Sequence, residues 1–392
     1  MNVTIALTMF WVPVRRICHW GPLTALGIIK CVTFMTVHCS SMWWPPTDTI
    51  GGCLNSGIFL VFSLLTLYNF LNAIYEGPGY LPLHWRPEKE EAEEFLQYCN
   101  TCEGYKAPRS HHCRKCKRCV MKMDHHCPWI NNCVGHLNHT HFTLFLFFAV
   151  CGCLQASVVL SCSLYRAINR VWYLYYGTGH EPIVYLSMST LAFCVFCLGL
   201  SIGVVLAVGM LLYFQMRAIL RNQTGIEDWI VEKAKHRRLG SDSVFIYPYN
   251  LGWKKNFIQV INLSCTPAGD GIEWPVCAGC DQYSLTREQQ EQKAEKRVRA
   301  RPYQAISDYS GSWVPITQGW RVLCHPPFTD EPRIRLHRGD NVMVTRWRRY
   351  WLFGERLLND ETAPRQRGWF PRRCVVEVDG GSGEPVPDRK RK

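Results

Sequence analysis

Four long apolar stretches constrain this chain more than any other feature of its sequence. They run over about Leu23–Met42, Gly57–Ile74, Phe142–Ser163 and Leu186–Phe214. Each is long enough for a helix to cross a bilayer, which takes about 20 residues. Charged residues make up only 19% of the 392 residues, against about 25% in soluble domains. The sequence therefore predicts a multi-pass α-helical membrane protein with four transmembrane helices.

The distribution of positive charge predicts how the chain is oriented in the membrane. Short cytosolic flanks collect Lys and Arg. Arg15 and Arg16 precede the first apolar stretch, and the segment between the second and third stretches is rich in both residue types. The loop near Pro45–Gly51 contains neither. We therefore expect both termini and the segment 75–141 to be cytosolic, and the Pro45–Gly51 loop to be luminal.

Two sets of three cysteines and one histidine repeat within this segment at an offset of 14 residues. The members are Cys99, Cys102, His112 and Cys119 in the first set, and Cys113, Cys116, His126 and Cys133 in the second. Three cysteines and one histidine complete a tetrahedral structural zinc site. Thiols grouped in this way are typical of metal sites in a reducing compartment. The sequence predicts a cytosolic cysteine-rich domain held together by two structural Zn²⁺ ions.

Cys127 belongs to neither set. The 14-residue offset reaches it, but a third set would then need a cysteine at position 130, which is Ile130. Cys127 follows Asp124, His125 and His126, and a thiol beside histidine is a better nucleophile at neutral pH. With His126 assigned to zinc, His125 is the candidate base and Asp124 the carboxylate that orients it. The alternative is that Cys127 is a buried structural residue.

The run from Cys99 to Cys133 resembles the DHHC family of protein S-acyltransferases. Its pattern is Cys-x2-Cys-x9-His-Cys-x2-Cys-x2-Cys-x4-Asp-His-His-Cys-x5-Cys, and the four-span layout around it also matches, so the resemblance covers about residues 15–265. It implies that Cys127 takes an acyl group from acyl-CoA, such as palmitoyl-CoA, with His125 as the base and Asp124 orienting it. The implied activity is protein S-palmitoyltransferase, and the implied substrates are membrane-proximal proteins with cytosolic cysteines.

Two sequence motifs that are usual in the family are altered in this chain. Gly77-Pro78-Gly79 stands where Asp-Pro-Gly is usual, and Thr224-Gly225-Ile226-Glu227 where Thr-Thr-x-Glu is usual. In the family the second threonine contacts the catalytic aspartate, so we expect another donor to hold Asp124 here. Asn256 resembles the asparagine that braces the family's transmembrane helices, and the alternative is that it caps a helix.

Basic residues beside the predicted zinc sites are candidates for binding the phosphates of CoA. They are Lys115, Lys117, Arg118 and Lys122. A nucleophile at the membrane interface would meet a thioester whose acyl tail lies in the bilayer and whose phosphorylated head lies in the cytosol. The same residues could equally attract anionic lipid. A nucleic-acid partner would suit the excess of 44 Lys and Arg over 31 Asp and Glu, but not four spans.

The C-terminal region resembles an SH3 domain in the order of its signatures. These are Ala305-Ile-Ser-Asp-Tyr309, Leu336-His-Arg-Gly-Asp340, Tyr350-Trp351 and Gly368-Trp-Phe-Pro371. We therefore expect an SH3-like β-barrel over 302–378. Ser307 replaces the first tyrosine usual in its ligand groove, Tyr350 the first tryptophan and Cys374 the late tyrosine. Recognition of proline-rich helices depends on such aromatic walls. The domain is predicted to bind a protein partner in an atypical way.

The remaining segments complete the predicted layout. The N-terminus is 1–22, the spans occupy 23–74 and 142–214, the juxtamembrane region and linker 215–301, and a basic tail 379–392. Within 215–301, the residues Ile226, Trp229, Ile230 and Lys233 recur at helical spacing. This pattern fits an amphipathic helix on the membrane or a packed cytosolic helix. The final Arg389-Lys390-Arg391-Lys392 resembles a cytosolic retention signal of the endoplasmic reticulum.

A membrane-anchored zinc adaptor without catalysis is the main competing interpretation. RING-type ubiquitin ligase domains also interleave two zinc sets. Ubiquitin ligation of that type needs no spare cysteine, whereas acyl transfer requires one. Covalent labelling of Cys127 by an acyl donor therefore distinguishes the two functions.

Overall fold

The chain forms two compact units, of which one ends at Glu288 and the other begins at Gln289. The structure is a computed structural model that describes residues 16–262, 264–329, 331–357 and 366–378. The predictions for Arg15 and for the basic tail 379–392 concern residues outside these ranges.

The first unit is mainly helical. Its helices are α1 (Trp20–Trp43), α2 (Ile50–Tyr75), α3 (His139–Ile168), α4 (Arg170–Tyr176), α5 (Met188–Arg221), α6 (Gly225–Arg237) and α7 (Trp253–Ile258), and α8 (Ser284–Val298) begins at its end. In the described part of the chain four of these, α1, α2, α3 and α5, are long and apolar enough to cross a membrane. The four predicted spans are therefore confirmed.

Polar side chains cap the first turns of two spanning helices and set where these helices begin. The Thr49 hydroxyl accepts from the backbone N–H of Gly52 at 3.0 Å, so α2 begins at Ile50 rather than near Gly57. In the same way the Ser187 side chain accepts from the N–H of Thr190 at 3.3 Å at the start of α5. Such caps satisfy N–H groups that the first helical turn leaves without partners.

Helix α3 packs against the other three spanning helices. Hydrogen bonds between polar side chains join the helices as well. The indole N–H of Trp43 in α1 donates to the Ser163 hydroxyl of α3 at 2.8 Å, and Thr33 of α1 shares a hydrogen bond with Ser63 of α2 at 2.7 Å. Hydrogen bonds of this kind between helices each contribute about 0.6–2 kcal/mol in lipid.

Three short β-hairpins follow one another between α2 and α3. The strands are β1 (Gln97–Cys99) with β2 (Gly104–Lys106), β3 (His111–Cys113) with β4 (Arg118–Val120), and β5 (His125–Cys127) with β6 (Asn132–Val134). Glu103, Lys117 and Asn131, which immediately precede the second strand of each hairpin, have positive φ angles of 51°, 54° and 46°. The backbone conformation therefore repeats at the same 14-residue offset as the metal ligands.

One face of helix α6 packs against the segment of chain that follows it. Ile230 and Val231 are buried in a cluster with Tyr249 and Trp274, whereas Trp229 is 71% exposed. The buried face favours the interpretation of a packed helix over that of a free amphipathic helix. Asn256 in α7 is fully buried, and its side-chain amide donates to the carbonyl of Leu220 in α5 at 2.8 Å. It therefore joins α7 to a spanning helix.

The second unit is an antiparallel sheet of five strands among its described residues. The strands are β7 (Arg301–Ala305), β8 (Asn341–Trp347), β9 (Trp351–Arg356), β10 (Gln366–Pro371) and β11 (Val375–Glu377), in the order β10-β9-β8-β7-β11. A short helix α9 (Trp320–Cys324) lies between β7 and β8. The core includes Trp351, Trp369, Phe370 and Leu336. The C-terminal β domain predicted from the sequence is present, as a sheet whose described strands do not close into a barrel.

Candidate active site and metal sites

The eight predicted metal ligands come together as two groups. Within each group all four donor atoms lie within 4.8 Å of one another, and they are the only such groups found among the described residues. In the first, the Nδ1 atom of His112 lies 3.4 Å from the sulfurs of Cys99 and Cys102 and 3.8 Å from that of Cys119.

The second group has the same geometry. The Nδ1 atom of His126 lies 3.7 Å from the sulfur of Cys113, 3.4 Å from that of Cys116 and 3.6 Å from that of Cys133. A tetrahedral ion bound to sulfur at about 2.3 Å and to nitrogen at about 2.0 Å sets neighbouring donors roughly 3.5 Å apart. Both groups therefore fit zinc, as predicted.

The hairpins explain why the two sets interleave. The turn of the first hairpin supplies Cys99 and Cys102, and the second hairpin supplies His112 and Cys119 from paired positions on its two strands. The second and third hairpins repeat this arrangement around the other group. Each metal group thus joins one hairpin turn to the strands of the next hairpin.

The third hairpin turn has no metal group and contains the candidate nucleophile. Cys127 occupies the place that Cys99 and Cys113 hold in the first two hairpins, and Ile130 occupies the place of the second ligand. Ile130 is fully buried in an apolar cluster that also contains Cys127. Since Cys127 lies outside both groups of metal ligands, its sulfur is free for other chemistry.

The membrane helices hold this third turn. The amide of Asn132 donates to the carbonyl of Ile74 at the end of α2 at 3.1 Å. At the start of α1, a Cβ added to Gly21 would lie 2.0 Å from the carbonyl oxygen of Pro128, so only glycine allows α1 to pack on the turn. Cys127 is therefore positioned by the metal groups on one side and by the ends of spanning helices on the other.

Asp124 and His125 form the carboxylate–imidazole pair that the sequence predicts. The Nδ1–H of His125 donates to Oδ2 of Asp124 at 2.8 Å, which leaves Nε2 to act on a thiol. Burial lowers the pKa of His125, but hydrogen bonds with Asp124 and Cys127 raise it to about 10. Burial raises the pKa of Asp124, but hydrogen bonds from His125 and from a backbone N–H lower it to about 2. Asp124 is therefore ionised at neutral pH.

Gly225 supplies that backbone N–H. Its amide donates to Oδ1 of Asp124 at 2.6 Å, so each oxygen of the carboxylate has its own donor. Gly225 is the first residue of α6, and Thr224 and Glu227 form a capping box at this helix end. The donor that the sequence left unidentified is therefore the backbone of the same residue that replaces the family's threonine.

An ion pair that the sequence analysis missed fixes the end of α6. The guanidinium of Arg109 donates to both carboxylate oxygens of Glu227 at 2.7 and 2.8 Å, and both side chains are fully buried. Arg109 also donates to the carbonyl of Asn222, and Tyr247 donates to Glu227. Because the pair joins the cysteine-rich domain to the chain after α5, it holds the Gly225 N–H against Asp124. The one sign of this pair in the local sequence was Glu227, the acidic residue of the capping-box pattern.

The four basic residues proposed for CoA do not form one cluster of free charges. Lys115 and Lys117 are exposed, while the guanidinium of Arg118 donates to the carbonyl of Leu81 at 2.9 Å. Lys122 is 3% exposed, with its ammonium 5.4 Å from the ring of Trp274. Burial and the neighbouring Arg109 charge lower the pKa of Lys122 to about 7. Its position does not support a contact with CoA phosphates.

The surroundings of Cys127 are apolar and come from all four spanning helices. The cluster includes Ala25 of α1, Phe70 of α2 and Phe142 of α3, with Leu212 of α5 packed at its edge. The ring of Phe142 lies 5.4 Å from that of His125, edge to face. A thiol, a base and a carboxylate thus meet an apolar cluster at the end of a helix bundle. This arrangement suits transfer of a group that carries a long apolar chain.

Comparisons with known proteins agree with this site. The family profile described as DHHC palmitoyltransferase matches residues 92–232. A protein of Mus musculus named Palmitoyltransferase ZDHHC6 is 48% identical over 395 residues, which cover 96% of this chain and 96% of that protein. The Danio rerio protein of the same name is 46% identical, with 96% and 95% covered. Probable protein S-acyltransferase 16 of Arabidopsis thaliana is 31% identical, with 60% and 82% covered.

Proposed function

Because this chain belongs to the DHHC palmitoyltransferase family, we propose that its protein palmitoyltransferase activity proceeds through an acyl thioester on Cys127. The observation that carries the proposal is the position of Cys127. It lies outside both metal groups, beside the His125–Asp124 pair and within an apolar cluster to which all four spanning helices contribute. A purely structural cysteine needs neither the base nor the carboxylate.

In the first step the sulfur of Cys127 attacks the thioester carbonyl of acyl-CoA. His125, whose pKa, despite burial, is raised by its hydrogen bonds with Asp124 and Cys127, holds the thiol proton at Nε2 as the sulfur attacks. The bond between the acyl carbon and the CoA sulfur breaks, and the leaving thiolate takes that proton to become CoA–SH. Asp124 keeps Nδ1 of His125 protonated and stabilises the imidazolium that forms. The products are free CoA and acyl-Cys127.

In the second step a cysteine thiol of a substrate protein gives its proton to Nε2 of His125 and attacks the acyl carbon. The thioester at Cys127 breaks, and the released sulfur recovers the proton. The enzyme returns to its starting state, and the substrate carries the acyl group as a thioester. The same base therefore serves both steps.

The protein offers an apolar environment to one end of acyl-CoA and a charged, aqueous one to the other. The apolar cluster around Cys127, with Phe70, Phe142 and Leu146, suits the acyl chain near the thioester. The exposed Lys115 and Lys117 suit the phosphates of CoA on the aqueous side. The two zinc ions, held by the eight ligands described above, would fix the hairpins and leave the chemistry to Cys127 and His125.

We also propose an orientation in the membrane, a cellular location and a role for the second unit. The positive charge beside the spans supports cytosolic termini and a luminal Pro45–Gly51 loop, and the final Arg389–Lys392 run supports residence in the endoplasmic reticulum. The order of signatures and the five-stranded sheet support an SH3-like domain that binds a protein partner. The substrates would then be proteins whose cysteines lie close to the cytosolic face of that membrane.

Single-turnover labelling with an alkyne-bearing palmitoyl-CoA tests the function. We expect a hydroxylamine-sensitive adduct on the wild-type chain and none on Cys127→Ala. His125→Ala should slow both adduct formation and transfer by about 10²–10⁴-fold. Asp124→Asn should slow both as well, because the imidazole loses the carboxylate that orients it.

An adduct that persists in Cys127→Ala at the wild-type rate and stoichiometry would contradict the role of Cys127 as the nucleophile. Zinc content serves as the control, because all three variants should retain both ions. A chain that binds zinc but never forms the adduct would instead support the adaptor interpretation.

A further inference from the structure

An aromatic segment in the second unit faces solvent. We define it as residues 313–328, between β7 and β8. Trp313 is 61% exposed, Ile316 75%, Trp320 74% and Phe328 88%. Exposed apolar residues are common singly, but this density within one short segment is typical of an interaction surface.

The opposite side of the aromatic segment is anchored to the sheet. Val322 is 3% exposed and belongs to the core of the unit. The indole N–H of Trp351 donates to the carbonyl of Val322 at 3.2 Å. The thiol of Cys374 donates to the side-chain oxygen of Gln318 at 3.0 Å. The segment therefore has a fixed inner side, at Gln318 and Val322, while its large rings remain exposed.

These anchors also cover positions expected to form a ligand groove. The ring of His325 lies 5.1 Å from that of Tyr350, and Gln318 contacts Cys374. Tyr350 and Cys374 stand where an SH3 groove normally has aromatic walls. A proline-rich peptide at this place would have to displace the protein's own segment, so the exposed side of the aromatic segment is the surface left for binding.

The charge of the aromatic segment favours an anionic partner. No Asp or Glu occurs from Tyr309 to Thr329. Exposed Arg321 lies within the segment, and Arg373, also exposed, donates to the carbonyl of Gln318 at 3.0 Å. Tryptophan favours the headgroup level of a bilayer, phenylalanine is common on the apolar side of interfacial segments, and arginine is attracted to anionic lipid. Together these properties fit an anionic bilayer surface.

We propose that the aromatic segment binds the surface of an anionic bilayer through Trp313, Ile316, Trp320 and Phe328. The inference goes beyond acyl transfer, since neither step of the proposed mechanism uses these residues. It gives the second unit a lipid contact of its own, independent of any protein partner.

The test measures how close residue 320 comes to lipid in the full chain. A fluorescent, environment-sensitive amino acid replaces Trp320, and the protein is placed in nanodiscs of phosphatidylcholine with or without phosphatidylserine. Lipids brominated on their acyl chains quench a fluorophore that enters the bilayer. The same amino acid at Val298, which is 85% exposed in the same unit, provides the matched control. Nanodiscs expose both leaflets, so the result does not depend on topology.

We expect quenching at position 320 to exceed that at position 298 by about twofold or more, and to increase with phosphatidylserine. Arg321→Glu should remove that increase. Slow hydrogen exchange in β9 checks that each variant keeps its sheet. Equal quenching at the two positions with phosphatidylserine present would overturn the proposal. The proposal would also be overturned if the fluorophore at position 320 stayed unquenched while a proline-rich peptide bound the protein. Wild-type acyl transfer in the same sample shows that either result leaves the enzymatic function intact.

Discussion

At the scale of single residues, Gly225 contributes to the active site through its backbone. Its N–H binds Oδ1 of Asp124, and a Cβ added at this position would lie 3.5 Å from the same oxygen, an ordinary contact. The sequence showed that a threonine side chain was absent, but it could not show that the backbone donor remained. The Thr224-x-x-Glu227 capping pattern was the available signal, because it marks a helix start, where N–H groups lack helical partners.

Two substitutions separate this N–H from the side chain. Gly225→Ala keeps the donor, so acyl-enzyme formation should stay near the wild-type rate. Gly225→Pro removes it, although proline is well accepted at the first position of a helix and Thr224 already has the extended backbone that precedes proline, with ψ 162°. A hydrogen bond to a charged group contributes about 1.5–3 kcal/mol. Single-turnover rates should therefore fall about 10-fold or more, and equal rates for the two variants would contradict the role of the N–H.

Lys122 gives a prediction about pH. Its folded pKa of about 7 lies below the unfolded value near 10.4, since burial disfavours the charged form. The unfolded chain therefore binds more protons between these values, and stability should rise with pH across that window. Lys122→Met should flatten the rise and stabilise the protein at pH 7 by on the order of 1–3 kcal/mol. Thermal unfolding in nanodiscs measures both effects. A raised KM for acyl-CoA in this variant would instead indicate a contact with CoA.

At the scale of elements, the hairpins divide metal binding from chemistry. Cys102→Ser or His126→Ala should lose one of the two zinc ions and destabilise the cysteine-rich domain, because each removes a ligand from a closed set. Cys127→Ser should retain both. Elemental analysis of the purified variants checks the count. Loss of zinc from Cys127→Ser would mean that the ligand assignment is wrong.

The local parts of the site were predictable from the sequence, and the long-range parts were not. Ligand spacing and the Asp124–His125–Cys127 run identified the metal groups and the candidate nucleophile, because both depend on short stretches of chain. The ion pair between Arg109 and Glu227 joins residues 118 positions apart. No local pattern encodes such a contact. The burial of Lys122 against Trp274 escaped prediction for the same reason.

At the scale of the whole molecule, hydropathy predicted the spanning helices and charge predicts their direction. In sealed microsomes, tags at both termini should be digested by added protease, whereas a tag inserted in the Pro45–Gly51 loop should be protected. The physical reason is the lack of Lys and Arg in that loop and their abundance before α3. Protection of a terminal tag would mean that this terminus lies in the lumen and that the predicted orientation is wrong. A marker cleaved only after detergent treatment controls for sealed vesicles.

The third hairpin has a consequence for how such an enzyme could arise. Tandem copying of one metal-binding hairpin would give the 14-residue period, and the last copy would carry a cysteine with no set to complete. Ile130 stands where a second ligand would be, and helix α3 follows where a fourth hairpin would have to supply the other two. The turn that orients sulfur toward an ion in the first two hairpins would orient it toward a carbonyl carbon in the third. In the third hairpin the ends of the spanning helices thus provide the restraint that a metal ion would provide in the other two.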